Sequence, residues 1–323
     1  MPSDKQTGKL LYLLDCNSRA SLKTLAAQLK IPETTAGYRL RTIFKDGIIQ
    51  RAYPVFNPGL VGMSIHKIML KLHKVDEKEI RAITTFIASI PIVNWVARFD
   101  GHYDVGCTVL VRHVGQVSEF LNQIRQKFSR QIRQLSYAVN LKAEFFPRDY
   151  LIRDARRGTH NATYTSFAAH NRTITLDEID WGILRALALD ARTTAAEIAP
   201  SLAVTPETIS RRLRKLEQNR VITGYRLAIN HEAINRISYY LLLSLNFAST
   251  EKVNQLISFL RSHANIVYII EMLGEWDFDV SIECKDIPEY RSFLVTLLKN
   301  YADVIKDIQS HTTWQVIKFS VLP

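Results

Sequence analysis

Six side chains within eight residues carry the most legible chemistry in this sequence: Thr208, Ser210, Arg211, Arg212, Arg214 and Lys215. Arginine offers a planar fork of N–H donors that fits the acceptor edge of guanine, and either basic residue binds phosphate. Ile209, Leu213 and Leu216 fall together at helical spacing, so the polar set is expected on the outward side of one helix. Residues 174–323 have a net charge of −2, yet four of their 16 basic residues sit on this segment. The alternative is a merely solvated helix face. A second segment, 173 residues earlier, carries Thr34, Thr35, Tyr38, Arg39 and Arg41. It is the weaker candidate: Gly37 lies in its interior, at a cost of about 1 kcal/mol relative to alanine, and Lys45-Asp46 replaces a clean basic end.

The elements that must position these residues follow from caps and periodicity. Thr205 caps the third helix of its group and Pro206 suits the first turn, which needs no N–H from it. That helix is expected to run to about Asn219. Before it come a helix over Leu176–Asp190, with Asp177 and Glu178 at its start, a short helix over Thr194–Ser201, and the bend Leu202-Ala203-Val204. A strand and turn over 221–225 follow. The first half gives helices over Asp4–Cys16, Ser21–Leu29 and Pro32–Lys45 and a strand over Gly47–Phe56. Two helices joined by a tight bend, with a strand after the second, make a helix-turn-helix with a wing, whose last helix enters the DNA major groove.

The correspondence extends further. Residues 10–146 shifted by 173 land on 183–319 without a gap, matching Arg19 with Arg192, Asn57 with Asn230, and Gly101 and Asp104 with Gly274 and Asp277. A chain with an internal repeat is read one unit at a time. Each head is followed by a β-α-β-β-α-β stretch: Ile65–His73, Asp76–Ser89, Val93–Phe99, Tyr103–Val111, Gly115–Phe128 and Ile132–Phe145, then Ser238–Phe247, Thr250–His263, Ile266–Met272, Phe278–Glu283, Ile287–Tyr301 and Ile305–Phe319. This is the ferredoxin-like order. The expected fold is α+β, two repeats, each a winged helix-turn-helix domain followed by a ferredoxin-like domain. The boundaries are 1–58 and 62–147, a linker over 148–173, then 174–231 and 235–321. One face of each sheet is left open by its helices. Ile68, Leu70 and Leu72, and Leu241, Leu243 and Leu245, alternate along their strands, and alternation does not say which face they occupy. An open apolar face must be covered, and the two copies are expected to cover each other.

Composition bounds the class. The chain has 323 residues, 47% of them apolar, and a net charge of +11, of which residues 1–150 hold +10 and 151–173 hold +3. A basic half attracts polyanions. No apolar run is long enough to span a membrane, and the start does not read as a signal peptide. Cys16, Cys107 and Cys284 are far apart, as ordinary core thiols of a reducing compartment would be; the expected location is cytoplasmic. No phosphate-binding, nucleophile-elbow or zinc motif is present, so neither catalytic residues, metal nor cofactor are expected. His160 and His170 read as loop residues. The linker reads as flexible, with Arg153, Arg156 and Arg157 available for phosphate.

At this point the residues resemble a known family. The segment LDEIDWGILRALALDARTTAAEIAPSLAVTPETISRRLRKLEQNRVITGY, a wing ending in Asn (LAIN230, PVFN57), and the turns GHYD and GEWD look like the leucine-responsive/AsnC transcriptional regulators. The resemblance implies double-stranded DNA as partner and a tail that senses a small metabolite, usually an amino acid, beside the glycine-aromatic-Asp turn. The positions would be Gly101, Tyr103 and Asp104, with Gly274, Trp276 and Asp277. The other reading of these residues is a tight hairpin whose carboxylates satisfy backbone N–H groups. Family members pair through their tails and often build larger assemblies. The fusion of two units here implies an intramolecular pseudo-dimer that assembles further. Sirohaem decarboxylases share the architecture and include two-unit fusions, but their histidine-bearing tail pattern is absent: 267–283 has no histidine and 93–111 has only His102.

Overall fold

The computed structural model describes residues 5–152, 165–169 and 172–322. The first half contains α1 (Lys5–Cys16), α2 (Leu22–Leu29), α3 (Glu33–Lys45), β1 (Ile49–Phe56), β2 (Ser64–Leu72), α4 (Glu77–Ser89), β3 (Val93–Gly101), β4 (Val105–Val111), α5 (Val114–Phe128) and β5 (Ile132–Phe145). A short strand, β6 (Thr165–Ala168), follows. The same order then recurs in α6 (Glu178–Leu189), α7 (Ala195–Ile198), α8 (Pro206–Gln218), β7 (Ile222–Ile229), β8 (Ile237–Leu245), α9 (Thr250–Ser262), β9 (Ile266–Gly274), β10 (Phe278–Cys284), α10 (Ile287–Tyr301) and β11 (Ile305–Phe319). The architecture is mixed α+β. The helix expected over Thr194–Ser201 is split: after Ile198 the chain tightens into a 3-10 turn over Ala199–Leu202. Pro200 explains the break, because it has no N–H to continue the ladder.

The sheet strands form a closed ring in the order β2-β4-β3-β11-β8-β10-β9-β5, with β5 also paired to β2. Within it, β5-β2-β4-β3 and β11-β8-β10-β9 each have the ferredoxin-like order. The long strands β5 and β11 make the joins. Residues Ile132–Asn140 of β5 pair with β2, and Ala138–Phe145 pair with β9. Residues Ile305–Thr312 of β11 pair with β8, and His311–Phe319 pair with β3. Closure gives every strand of the ring a neighbour on both sides and leaves only stretches of the long β5 and β11 without a ring partner on one side, which reduces the hazard of exposed strand edges.

The ring fixes which residues face the helices. Ile68, Leu70 and Leu72 pack with Ile83 and Ile87 of α4 and Phe120 and Ile124 of α5. Leu241 and Leu243 pack with Leu256 and Leu260 of α9 and Phe293 and Leu297 of α10. The faces turned toward each other carry the alternate set instead: Met69, Ala97, Phe99 and Tyr103 meet Leu242, Met272 and Trp276.

The heads are joined as well. β1 and β7 pair antiparallel, Ile49 opposite Ile229 and Phe56 opposite Ile222, and one core holds Leu10, Leu14 and Ile43 together with Ile183, Leu187 and Ile209. Arg19 donates to the carbonyls of Ala191 and Thr193, while Arg192 donates to those of Ser18 and Ala20. This reciprocal pair ties each head to the loop of the other. The segment expected as a flexible linker is structured in part: β6 pairs with Lys142–Phe145 of β5, and Arg148 is buried. Head two is therefore held against head one rather than free to swing. Arg153, Arg156, Arg157, His160 and His170 lie outside the described residues.

Candidate nucleic-acid interface and effector turns

Helix α8 opens on Thr205, whose hydroxyl accepts from Thr208 N at 3.3 Å, with Pro206 in the first turn. Ile209 and Leu216 are buried beneath it. On its outer side Arg211, Arg214 and Lys215 are exposed, with Thr208 and Ser210 half-buried beside them. These five stand as a donor-rich face at the surface. Arg212 does not join them. Its guanidinium donates to Asp177 at 2.6 Å and Asp180 at 3.0 Å, so it fastens α8 to the N-terminus of α6. The hydrogen bond to Asp177 and then that to Asp180 raise its affinity for the proton further.

The first head repeats the division. Thr34, Thr35, Tyr38 and Arg41 of α3 are exposed, Tyr38 at 66%. Arg39, the counterpart of Arg212, turns inward and donates to Thr7 of α1 at 3.0 Å. Gly37 has a packing reason: a Cβ there would stand 3.1 Å from Leu22 Cδ2, so its absence lets α3 approach α2 closely.

The six residues expected at an effector cleft sit at the two seams of the strand ring. Gly101 has φ 144° and Gly274 φ 141°, and a Cβ on either would lie 2.6 Å from a carbonyl of the neighbouring strand, that of Ser310 or Tyr137. The glycines thus admit a neighbouring strand, β11 or β5. Tyr103 and Trp276 are buried and meet edge to face at 5.7 Å; Tyr103 donates to Ser136 at 2.7 Å and Trp276 Nε1 to Gln309 at 3.0 Å. Asp104 accepts from Leu72 N and Asp277 from Leu245 N, each at 2.7 Å. Asp104 also pairs with Lys71 at 3.1 Å. The carboxylates satisfy backbone N–H groups at the end of the adjacent strand, not those of their own hairpin as the hairpin reading expects.

Two buried charge clusters had no local sequence signal. Lys67 and Asp279 form an ion pair inside the ring, with Tyr268 donating to Asp279 at 3.3 Å. Between heads and ring, Arg148 reaches Glu283 at 2.8 Å and Asp15 at 3.1 Å, and Arg226 reaches Asp15 at 3.3 Å. Burial pushes the Glu283 carboxyl up, but Arg148 and then His231 outweigh it and hold it below the ordinary carboxylate range. Among the described residues no group of three or more His, Cys, Asp or Glu is arranged to hold a metal ion, and no helix is long and apolar enough to cross a membrane.

Comparison with known proteins places this geometry. The profile of the AsnC-type helix-turn-helix domain matches residues 176–217, and that of the Lrp/AsnC ligand binding domain matches 238–321. The HTH-type transcriptional regulator AldR of Mycobacterium tuberculosis is 30% identical over 135 residues, 41% of this chain and 75% of AldR. The chain belongs to the Lrp/AsnC family. This member is a DNA-binding transcriptional regulator, with a helix-turn-helix for DNA and a tail of the ligand-binding type. An uncharacterized HTH-type regulator of Pyrococcus abyssi is 28% identical over 144 residues, 44% of this chain and 95% of that protein. The sirohaem decarboxylase NirDL has the same fold over almost the whole length: the match covers 97% of this Lrp/AsnC chain and 92% of NirDL, with a TM-score of 0.61 and 13% identity. That likeness is one of fold.

Proposed function

We propose that the two halves act as an intramolecular pseudo-dimer in which both heads contact one DNA duplex at a fixed spacing. The observation that carries this is the exposed basic side of α8 on a head locked to its counterpart by the β1–β7 pairing. Arg211, Arg214 and Lys215, with Thr208 and Ser210, take base edges and phosphates in one half-site. Thr34, Thr35, Tyr38 and Arg41 take the other. The two helices differ, so the operator is an imperfect palindrome. The chain acts in the cytoplasm and assembles further through its tails. An amino-acid effector would place its ammonium on Asp277, which stands exposed at the rim of its turn, whereas Asp104 is engaged by Lys71.

The test is fluorescence anisotropy with DNA from the protein's own promoter region beside an unrelated fragment of equal length, across a salt series. Tighter binding to the promoter, falling steeply with salt as arginines displace counterions, is expected. Equal or absent binding to both fragments at low salt refutes the proposal.

A further inference from the structure

A cavity of about 300 Å³ lies between the β1–β7 sheet and the strand ring, away from both glycine turns. Its volume is at the small end of the range for ligand pockets. Residues 173 apart line it from two sides, Lys67 with Tyr240 and Trp95 with Tyr268. The two sides are chemically unlike: where one presents Pro58, Ile65 and Leu110, the other presents His231, Ser238 and Glu283. A symmetric homodimer repeats every wall residue and has no polar side and apolar side. In this cavity the paired positions differ, Ile65 against Ser238 and Asn94 against Val267, so a guest meets unlike groups on its two sides.

The polar atoms on residues of its wall that lack a hydrogen-bond partner among the described residues include Oδ1 of Asn140, which is 9% exposed, and Nη1 of Arg226, which is 3% exposed. Arg226 commits its other terminal nitrogen to Asp15 and the Phe146 carbonyl. A buried amide oxygen and a buried guanidinium N–H left unpaired each carry a desolvation cost. Together they call for a guest with one donor and one anionic acceptor. The rest of the wall favours a flat ring: Trp95 and Tyr240 flank the Lys67 ammonium, 5.3 and 6.0 Å from their ring centroids, and Tyr268 completes an aromatic lining.

We propose that this cavity binds one small planar aromatic anion bearing an N–H or O–H donor, with its anionic group on Arg226, its donor on Asn140 and its ring among Trp95, Tyr240 and Tyr268. Arg226 belongs to β7 and Asn140 to β5, so the guest bridges heads and ring, and its binding shifts the heads' affinity for DNA. The binding itself stands apart from the DNA reading; only that last consequence rests on it.

The test is isothermal titration calorimetry of the full chain, without DNA, using indole-3-acetate and 4-hydroxybenzoate as probes and indole as the uncharged control. One probe molecule per chain is expected, with a negative heat-capacity change from apolar burial, and indole at least about tenfold weaker, for want of the charge-assisted bonds. Ile65→Trp, which fills the cavity, abolishes the heat. Asn140→Leu weakens indole-3-acetate about fivefold or more while raising the melting temperature, because it removes an unpaired buried acceptor. Opposite signs on binding and stability distinguish a ligand contact from a structural one. No heat from either anion at millimolar concentration, two molecules per chain, indole as tight as the anions, or unchanged binding in a folded Ile65→Trp variant each overturns the proposal. A chain that binds promoter DNA and neither anion refutes this site alone.

Discussion

Arg212 and Arg214 stand two residues apart on α8, and the structure gives them different work. Arg214 is exposed on the outer side, whereas Arg212 is 25% exposed and bound to Asp177 and Asp180. Arg214→Ala is expected to leave the melting temperature unchanged. Loss of one phosphate contact lowers the slope of log affinity against log salt by about 0.9; loss of a base contact costs about 1–3 kcal/mol, roughly five- to 150-fold in affinity. Arg212→Ala is expected to act on stability. Its ion pairs are partly exposed, and such pairs contribute about 0.2–1 kcal/mol each after screening. Their joint loss, on the order of 1 kcal/mol, corresponds to a fall of about 2–4 °C in a domain-sized unit. At temperatures where the variant is folded its salt slope stays that of the parent. Anisotropy over a salt series and a thermal melt on the same preparations separate the two effects. Binding lost in Arg212→Ala with an unchanged melt, or an Arg214→Ala variant with parental affinity and slope, refutes this division of labour.

Gly101→Ala and Gly274→Ala each push a Cβ to within 2.6 Å of a carbonyl on the neighbouring strand at a positive φ, so each is expected to lose about 1–3 kcal/mol or more in urea unfolding; parental midpoints would show that the seams yield. His311 is 1% exposed, and its pKa is pushed down to about 4, mainly by burial and then by the Lys67 charge. The unfolded state therefore binds its proton first, and stability falls as pH drops below about 6.5; between pH 7.5 and 5 the loss is roughly 2 kcal/mol, absent in His311→Phe, and equal slopes for both proteins refute the assignment. Lys67→Met leaves Asp279 charged and unpaired in the interior and is expected to cost about 3–5 kcal/mol, whereas Lys67→Met with Asp279→Leu returns most of it; a double variant no more stable than the single shows that the pair is not the source.

Much of the architecture is legible locally. The Thr205-Pro206 cap, the inward Ile209 and Leu216 and the order of elements in each half all come from caps and short-range periodicity, and the structure places these elements within a few residues of the sequence reading. What is not legible depends on partners far along the chain. Arg212 lies at the border of the outward face, and its orientation is set by carboxylates 35 and 32 residues away. The glycine turns are recognisable as turns, but the strands that require glycine there are β11 and β5. Lys67 alternates with apolar residues in a way that suggests solvent on its side of the strand, and instead that side meets another sheet and an aspartate 212 residues on. The polar composition of 148–173 suggests a loop throughout, yet Thr165–Ala168 finds a free stretch of β5, where backbone pairing requires no apolar side chains.

The divergence of the two halves explains what a fused chain can hold that two identical chains cannot. Lys67 and Tyr240 are 173 apart and line one cavity, the Lys67 nitrogen standing 6.0 Å from the Tyr240 ring. Were both positions lysine, two ammonium groups would share that interior at about this separation, repelling by about 3 kcal/mol at an effective dielectric constant near 20, besides the cost of burying a second charge. Asp279, which balances Lys67, has glycine, Gly106, as its counterpart; a second aspartate would repeat the difficulty with opposite sign. A single buried ion pair at a junction between like halves therefore requires that the halves be different sequences. The same freedom applies at the heads, where Tyr38 stands at the position of Arg211: the two outward helix faces, on heads joined by the β1–β7 sheet, are chemically unlike. On the proposed reading, unlike halves remove the requirement that the operator repeat itself and that the ligand site be symmetric.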